Sequence, residues 1–432
     1  MNKPSFKDAF QFWLKLGFIS FGGPAGQIAI MHEYLVEKKR WISDSRFLHA
    51  LNYCMILPGP EAQQLATYIG WLLHGTLGGL TAGVLFVLPS LFILLGLSLA
   101  YVTFGKIAWV AALFYGLKPA VIAIVLLALI KIGKKSLLSV FHYGVAVTSF
   151  ICIFFFNAPF PLIIVIAIVL GLLGQRFVPA LLRTTHANAQ TESDEQTYYL
   201  NAFSPSILTG LSWKSMLGKI ITGVLLWMLP IIAFWIFTDD FTFWYSLSEF
   251  FTKAAFVTFG GAYAVLPYVA QVTVEKFQWL SAYEMVDGLA LGETTPGPLI
   301  IILVFVGFMG GYHHHGNSLV HGTVGLMTTA FYTFLPCFLF ILIGAPWVER
   351  TKENSQLKIV LGIVTAAVVG VVLNLTIYLG KAVLFPESLI NRIDWFSVSW
   401  LIISCVVLYR YKMNMIVWIG VSAIAGLLYS FM

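Results

Sequence analysis

The sequence predicts an all-α polytopic membrane protein made of two inverted-topology repeats with broken, re-entrant helical hairpins. Three observations predict it. Of the 432 residues, 59% are hydrophobic and only 10% are charged, with a mean hydropathy of +0.87, whereas soluble domains carry about 25% charged residues. Long apolar runs recur, among them Val84–Val102, Ile107–Ile130, Leu162–Leu173 and Ile220–Phe237, near the ~20 residues a spanning helix needs. They are continuous rather than alternating, which excludes a β-barrel as well as a soluble enzyme. The third observation is a duplication. A shift of 238 places Lys15 on Lys253, Phe21-Gly22-Gly23 on Phe259-Gly260-Gly261, Trp41 on Trp279 and Pro58-Gly59-Pro60 on Pro296-Gly297-Pro298, with 14 identities in 46 ungapped positions. With gaps, Leu88-Pro89 resembles Leu335-Pro336 and Gly116 resembles Gly362.

The chain divides accordingly. Residues 1–183 form the first repeat, 184–212 a polar cytoplasmic linker, 213–240 an extra connecting helix, and 241–432 the second, inverted copy. The linker reading rests on the polar stretch around Glu192-Ser193-Asp194-Glu195. About nine full spans plus hairpins are expected, or 13 if the hairpin segments cross. Met1 to Lys15 lacks a continuous apolar h-region, so no cleaved signal peptide is expected.

Orientation follows from the basic residues. Putting Lys38-Lys39-Arg40, Lys131, Lys134, Lys135, Arg176, Arg183, Lys214, Lys219, Arg350, Lys352, Lys358, Arg410 and Lys412 in the cytoplasm, with Lys3, Lys7 and Arg46, leaves only Lys106, Lys276, Lys381 and Arg392 outside. The N-terminus is then cytoplasmic and the C-terminus periplasmic or extracellular. The loop near Lys106 is outside while its repeat counterpart is inside, so the copies are inverted. The span near Met216–Phe237 supplies the odd crossing. Inverted repeats mark secondary transporters, with the site at the repeat interface near the midplane.

Each half opens with two broken segments, at Gly22-Gly23-Pro24 and Gly260-Gly261, and at the two Pro-Gly-Pro triplets. Proline lacks the N–H and clashes with the preceding turn, so these triplets end helices. Apolar arms flank the first triplet, Phe47 to Leu57 and Ala62 to Leu73, each too short to cross. Re-entrant hairpins are favoured over kinked full spans. A helix that starts at a tip aims free N–H groups and its positive dipole end there, a place for an anion. The bland alternative is that Gly and Pro only kink membrane helices.

Ionisable and polar residues at membrane depth are the remaining candidates. Lys118 sits mid-span in Tyr115-Gly116-Leu117-Lys118-Pro119. It is read as an anion's countercharge, or as the structural partner of Glu61 or Glu293. Lys15 and Lys253 precede their tips by about two turns, where snorkelling competes with anion binding. Glu61 and Glu293 are proton-coupling candidates, although Glu61 in a first helical turn equally complements the dipole. Gln27, Gln64, Thr294 and Thr295 suit oxyanion oxygens. Asn52, Asp287 and Asn374 are supporting candidates. The run His313-His314-His315 reads as a polar turn between helices, and His32 as a hydrogen-bonded residue. The cysteines Cys54, Cys152, Cys337 and Cys405 read as small hydrophobes. No metal, cofactor or nucleic-acid partner is expected, and no nucleotide-binding loop is present.

Several motifs together resemble the chromate ion transporter family, in its long-chain, two-domain form. They are Phe18-Ile19-Ser20-Phe21-Gly22-Gly23-Pro24, Leu57-Pro58-Gly59-Pro60-Glu61-Ala62-Gln63-Gln64-Leu65-Ala66, Tyr68-Ile69-Gly70, Phe86-Val87-Leu88-Pro89-Ser90, Gly116-Leu117-Lys118-Pro119 and Gly292-Glu293-Thr294-Thr295-Pro296-Gly297-Pro298. The resemblance implies a gradient-driven ion transporter that exports chromate across a bacterial inner membrane and confers chromate resistance. The residue reading proposes alternating access, with the anion held at residues 24–27, 61–64, 262–265 and 298–301 and with Lys118 as countercharge. The substrate-binding expectation thus covers Gly22, Gly23, Pro24, Gln27, Pro58, Gly59, Pro60, Gln64, Gly260, Gly261, Thr294, Thr295, Pro296, Gly297, Pro298, Lys15, Lys118 and Lys253. Sulfate, another tetrahedral dianion, is the natural competitor. An importer or exchanger of another oxyanion, an anion channel and a membrane-embedded enzyme remain as other readings. The sequence also leaves a homodimer open.

Overall fold

The computed structural model describes residues 3–177, 197–200, 213–348, 355–386 and 393–431. The described residues are almost wholly helical. Most of the expected linker, along with Arg183, Arg350, Lys352 and Arg392, lies outside them. The first half holds α1 (Phe6–Ile19), α2 (Gly23–His32), a π-helical turn (Glu33–Lys38), α3 (Asp44–Cys54), α4 (Glu61–Phe104), α5 (Ala108–Ser136), α6 (Val140–Phe156) and α7 (Phe160–Phe177). Then come α8 (Trp213–Phe237) and the second half: α9 (Phe241–Val257), α10 (Ala262–Ala270), a second π-helical turn (Gln271–Lys276), α11 (Ala282–Thr294), a single 3₁₀ turn (Leu299–Ile301), α12 (Ile302–His314), α13 (Leu319–Val348), α14 (Ser355–Leu384), α15 (Trp395–Arg410) and α16 (Met415–Tyr429). The two π turns stand at repeat-matched positions, so the duplication extends to backbone irregularity.

The broken segments fold back on themselves. Phe12 of α1 meets Tyr34 at 5.9 Å between ring centroids, and the Lys15 ammonium lies 5.2 Å from the same ring. These contacts require α1 and α2 to run antiparallel. Phe250 of α9 meets Tyr268 of α10 at 5.3 Å and Phe277 at 5.7 Å, the same return in the second half. α4 is two helices: non-helical dihedrals at His74 and Gly75 reverse the chain. Gly70 packs on Gly78, Gly79 on Thr67, and Gly83 on Gln63 and Thr67, pairs whose numbers fall on one side as they rise on the other. α12 and α13 repeat the arrangement through Gly311 against His321 and Gly307 against Thr329. The arms 61–73 and α12 are 13 residues each, about 20 Å at 1.5 Å per residue, short of a ~30 Å hydrocarbon core. These segments are therefore antiparallel helical hairpins, with single arms shorter than the hydrocarbon core.

Five described helices are long and apolar enough to cross a membrane: α4, α5, α8, α13 and α14. The shorter α6, α7, α15 and α16 pack in swapped fashion. α6 and α7 of the first half lie against α14 of the second, while α15 and α16 lie against α5 of the first. Close helix approach carries these contacts, with Gly116 of α5 on Ser422 and Gly426 of α16, and Gly370 of α14 on Ala146 and Phe150 of α6. Outward faces are apolar, and on α8 only Gly223 is buried. The two ends of the molecule are distinct. The His74 Nε2 contacts the Pro4 carbonyl at 3.0 Å at one end, where Leu200 pairs with Ile42. Tyr429 stacks near Tyr115 at 6.0 Å toward the other, so the described chain starts and finishes at opposite ends.

Candidate functional site

The four tips interlock across the two halves. Within Pro-Gly-Pro only the central glycine has an N–H to donate, and in each half it crosses to the other. Gly59 N–H donates to the Thr258 carbonyl at 2.7 Å, and Gly297 N–H to the Ser20 carbonyl at 2.7 Å. Both glycines hold positive φ, +123° and +94°. Side-chain packing is reciprocal too. Gly297 abuts Ser90 of the first half and Gly59 abuts Cys337 of the second, residues that follow the matched Leu-Pro pairs at 88–89 and 335–336. The repeat interface thus passes through the tips.

Helix starts differ in their caps, and α5 begins without a side-chain cap at Ile107, away from the tips. Away from the tips, Ser5, Ser43, Asp240 and Ser281 cap α1, α3, α9 and α11 with their side chains. At the tips, α2, α4, α10 and the Leu299–Ile301 turn begin with no side-chain cap. Pro24 stands in the first turn of α2, Pro60 immediately precedes α4, and Pro298 precedes the last. Uncapped starts leave backbone donors aimed at the interface.

Buried amides line it. The Gln27 amide donates to the Gly297 carbonyl and reaches the Ser20 carbonyl at 3.4 Å. Gln64 donates to the Pro58 carbonyl at 2.7 Å. The remaining oxygens of Gln27, Gln63 and Gln64, and the Ser90 hydroxyl, are buried without a protein partner, a costly state unless something else occupies their hydrogen-bonding capacity. Thr294 and Thr295 bond back to the Leu291 carbonyl at 2.8 and 2.7 Å. Gly22, Gly23, Gly260 and Gly261 form the other two tips, all at positive φ.

The ionisable candidates separate. Glu293 is buried at the end of α11 and accepts from the Tyr263 hydroxyl at 2.5 Å. Glu61 begins α4 half-buried, with no hydrogen bond or ion pair among the described residues. Lys118 pairs with neither. It forms an ion pair at 3.0 Å with Asp287, side chains 13% and 6% exposed, because α11 of the second half packs against α5. Tyr101 donates to the other Asp287 oxygen at 2.9 Å, and the ammonium sits 5.2 Å from the Tyr283 ring. Lys15 and Lys253 face outward, the latter paired with Glu249 at 2.7 Å, so the structure does not bring them to the tips. Asn52 and Asn374 are half-buried on α3 and α14. Sequence reasoning assigns no role to Tyr101, Tyr263, Gln63 or Ser90 and reads Cys337 as a small hydrophobe; the repeat alignment of Ser90 with Cys337 carries the one available signal.

His313 and His314 belong to the last turn of α12 rather than to a loop. His313 pairs with Glu284 at 2.9 Å and His314 with Asp240 at 2.6 Å, tying three connections together at one end. Among the described residues no group of three or more His, Cys, Asp or Glu is placed to hold a metal. His32 bonds Asp44 at 2.6 Å, and the four cysteines are free.

Long apolar helices, an apolar exterior and interlocked buried tips define a membrane-embedded helical protein. The particular family follows from comparison. The chain belongs to the chromate transporter family, whose model matches residues 7–172 and 245–427. It is 31% identical to a chromate transport protein of Cupriavidus metallidurans over 374 residues, 86% of this chain and 81% of the relative. A probable chromate transport protein of Synechococcus elongatus is 29% identical over 402 residues, 92% and 90% of the two chains. A chromate transport protein of Pseudomonas aeruginosa is 29% identical over 432 residues, 98% and 92%. No solved structure matches the chain significantly.

Proposed function

We propose that this protein exports chromate from the cytoplasm by alternating access, and that the anion binds where the four tips meet. The observation that carries the reading is the reciprocal pair of tip hydrogen bonds, Gly59 to Thr258 and Gly297 to Ser20, beside four uncapped helix starts. That arrangement offers backbone N–H groups and positive dipole ends to a dianion. The Ser90 hydroxyl donates to an oxyanion oxygen, while the Gln27 and Gln64 amides, which donate to the tip carbonyls of Ser20, Gly297 and Pro58, hold the tips in place around it. The half-turn relation of the tips gives each half an equivalent grip, so rocking one half against the other opens the site to either side in turn.

The end holding Pro4, His74 and Leu200 is assigned to the cytoplasm of a bacterial inner membrane, and the end holding His313 to the outside. With a negative interior, moving two negative charges outward releases about 4.6 kcal/mol per 100 mV, which sustains a roughly 2,000-fold gradient. The potential alone therefore suffices, and proton antiport through Glu293 and Tyr263 adds a second drive when the exterior is acidic.

Radiolabelled chromate flux into and out of proteoliposomes tests this, with membrane potential, sulfate and a pH step varied separately. Saturable, potential-driven movement that sulfate barely inhibits supports chromate export. Equal competition by sulfate points to a general oxyanion carrier, and non-saturating conductance to a channel. If Glu293 carries the coupled proton, Glu293→Gln abolishes the response to the pH step and keeps the response to potential.

A further inference from the structure

We propose that Asp287 and the transported oxyanion take turns on Lys118, so that this residue is a second anion station on the outward path and its pairing with Asp287 is the catch that holds the outer mouth shut. The anion and the outward direction rest on the functional reading above; the catch rests on geometry.

The ion pair joins α5 of the first half to α11 of the second. Lys118 lies ten residues into α5 from Ala108, about 15 Å along the helix. Asp287 lies about one turn deeper than Glu284 in α11, the arm that ends at the second Pro-Gly-Pro tip. No motion that separates α11 from α5 at this end leaves the pair intact. Such separation is what outward opening requires.

At the aligned positions of the inverted copy the pair has no mate among the described residues. The repeat places His49 opposite Asp287 and Val364 opposite Lys118, and those two cannot form an ion pair. Inverted repeats exchange conformations between the two access states. A contact that the aligned positions do not duplicate favours one state, here the state closed to the outside.

The chemistry allows exchange. An ammonium has three donors and no acceptor. Here it meets one carboxylate oxygen and the face of Tyr283, which leaves donor capacity for an oxyanion. A buried charge stripped of its partner is strongly destabilising. An anion oxygen arriving at Lys118 replaces Asp287 without stranding the cation, and the Tyr101 hydroxyl stays on Asp287. The substrate thus lowers the barrier to opening the mouth through which it leaves.

Two readouts test the idea. Ala290 is buried on α11, about one turn beyond Asp287 toward the tip. In Ala290→Cys, labelling by an impermeant thiol reagent from outside reports the mouth. Adding Asp287→Asn should raise the labelling rate roughly tenfold; an unchanged rate overturns the catch. In the second readout, equilibrium dialysis of purified full-length protein against labelled chromate and sulfate, Asp287→Asn should bind oxyanion roughly tenfold more tightly with slower maximal flux. Lys118→Gln should remove that gain. Unchanged or weaker binding in Asp287→Asn overturns the exchange. If wild type binds neither oxyanion, the functional reading falls while labelling still decides the catch. Should Asp287→Asn fail to insert, the neutral double variant Lys118→Gln/Asp287→Asn is labelled in the same way, with the same expected rise and the same overturning result.

Discussion

Gly297→Ala isolates the interlock between the halves. The glycine holds φ +94°, where an L-residue costs about 1–2 kcal/mol. An added Cβ would overlap the Ser90 hydroxyl and stand 3.0 Å from Ser90 Cβ and 3.5 Å from the Phe86 carbonyl. Ser90 is fully buried, so the overlap is relieved only by shifting packed atoms, an overpacking cost of about 1–3 kcal/mol. The two add to about 2–5 kcal/mol. Thermal melting of the detergent-purified protein reads the loss, and flux in proteoliposomes reads the displaced tip. Ser90→Gly separates the contributions, because it removes the overlap and leaves the dihedral strain. The double variant should recover about 1–3 kcal/mol and no more. Wild-type melting and flux in Gly297→Ala, or no recovery in the double variant, would refute the interlock.

Other expectations follow from the same contacts. Lys118→Met should cost about 3–5 kcal/mol by leaving the Asp287 carboxylate buried with the Tyr101 hydroxyl but without its cation, and Lys118→Met/Asp287→Leu should regain most of it, as melting curves would show. Gln27→Leu leaves the Gly297 carbonyl without its amide donor and should cost about 1–3 kcal/mol, with slower flux at unchanged membrane insertion. Asp240 lies in the loop between α8 and α9. Burial raises its pKa, but hydrogen bonds from His314 and the Phe243 N–H outweigh that and hold it below the ordinary carboxylate value. A depressed carboxylate stabilises the fold above its unfolded pKa of about 3.9 and loses that contribution as pH falls through the lower folded value. Asp240→Asn should therefore melt lower than wild type at neutral pH by less than ~1 kcal/mol, because the pair is exposed. The two curves should merge at acid pH below the folded value; a difference that persists there counts against the contact.

Punctuation makes the tips legible. Glycine and proline dictate where helices cannot continue, and a 238-residue shift puts the breaks in register from residue identity alone. The partner of Lys118 is not legible. Asp287 is 169 positions away on the other half, and only the swapped packing brings it near; Glu61 and Glu293 lie closer to the motifs and draw the choice instead. Lys15 and Lys253 match each other in the repeat, yet a matched pair on the outer face of two helices satisfies the same alignment. The reversal at His74-Gly75 is hidden because apolar helix former continues on both sides, so the pattern reads as one element where the backbone makes two.

The swapped packing also sets an order of events at the ribosome. α5 is complete at Ser136, but the helices that cover it, α15 and α16, end at Arg410 and Tyr429. At about 5–20 residues per second, roughly 15–60 s separate the two. For that interval Gly116 lacks Gly426, and for roughly the first 8–30 s of it, until Asp287 is made 151 residues after Ser136, Lys118 lacks its partner. The nascent first half must wait in the bilayer with its central charge uncompensated, sheltered by lipid, translocon or chaperone, and the last two helices act as the closing staple of assembly. Truncations that remove α16 should accordingly be cleared by membrane proteases rather than persist as a smaller carrier.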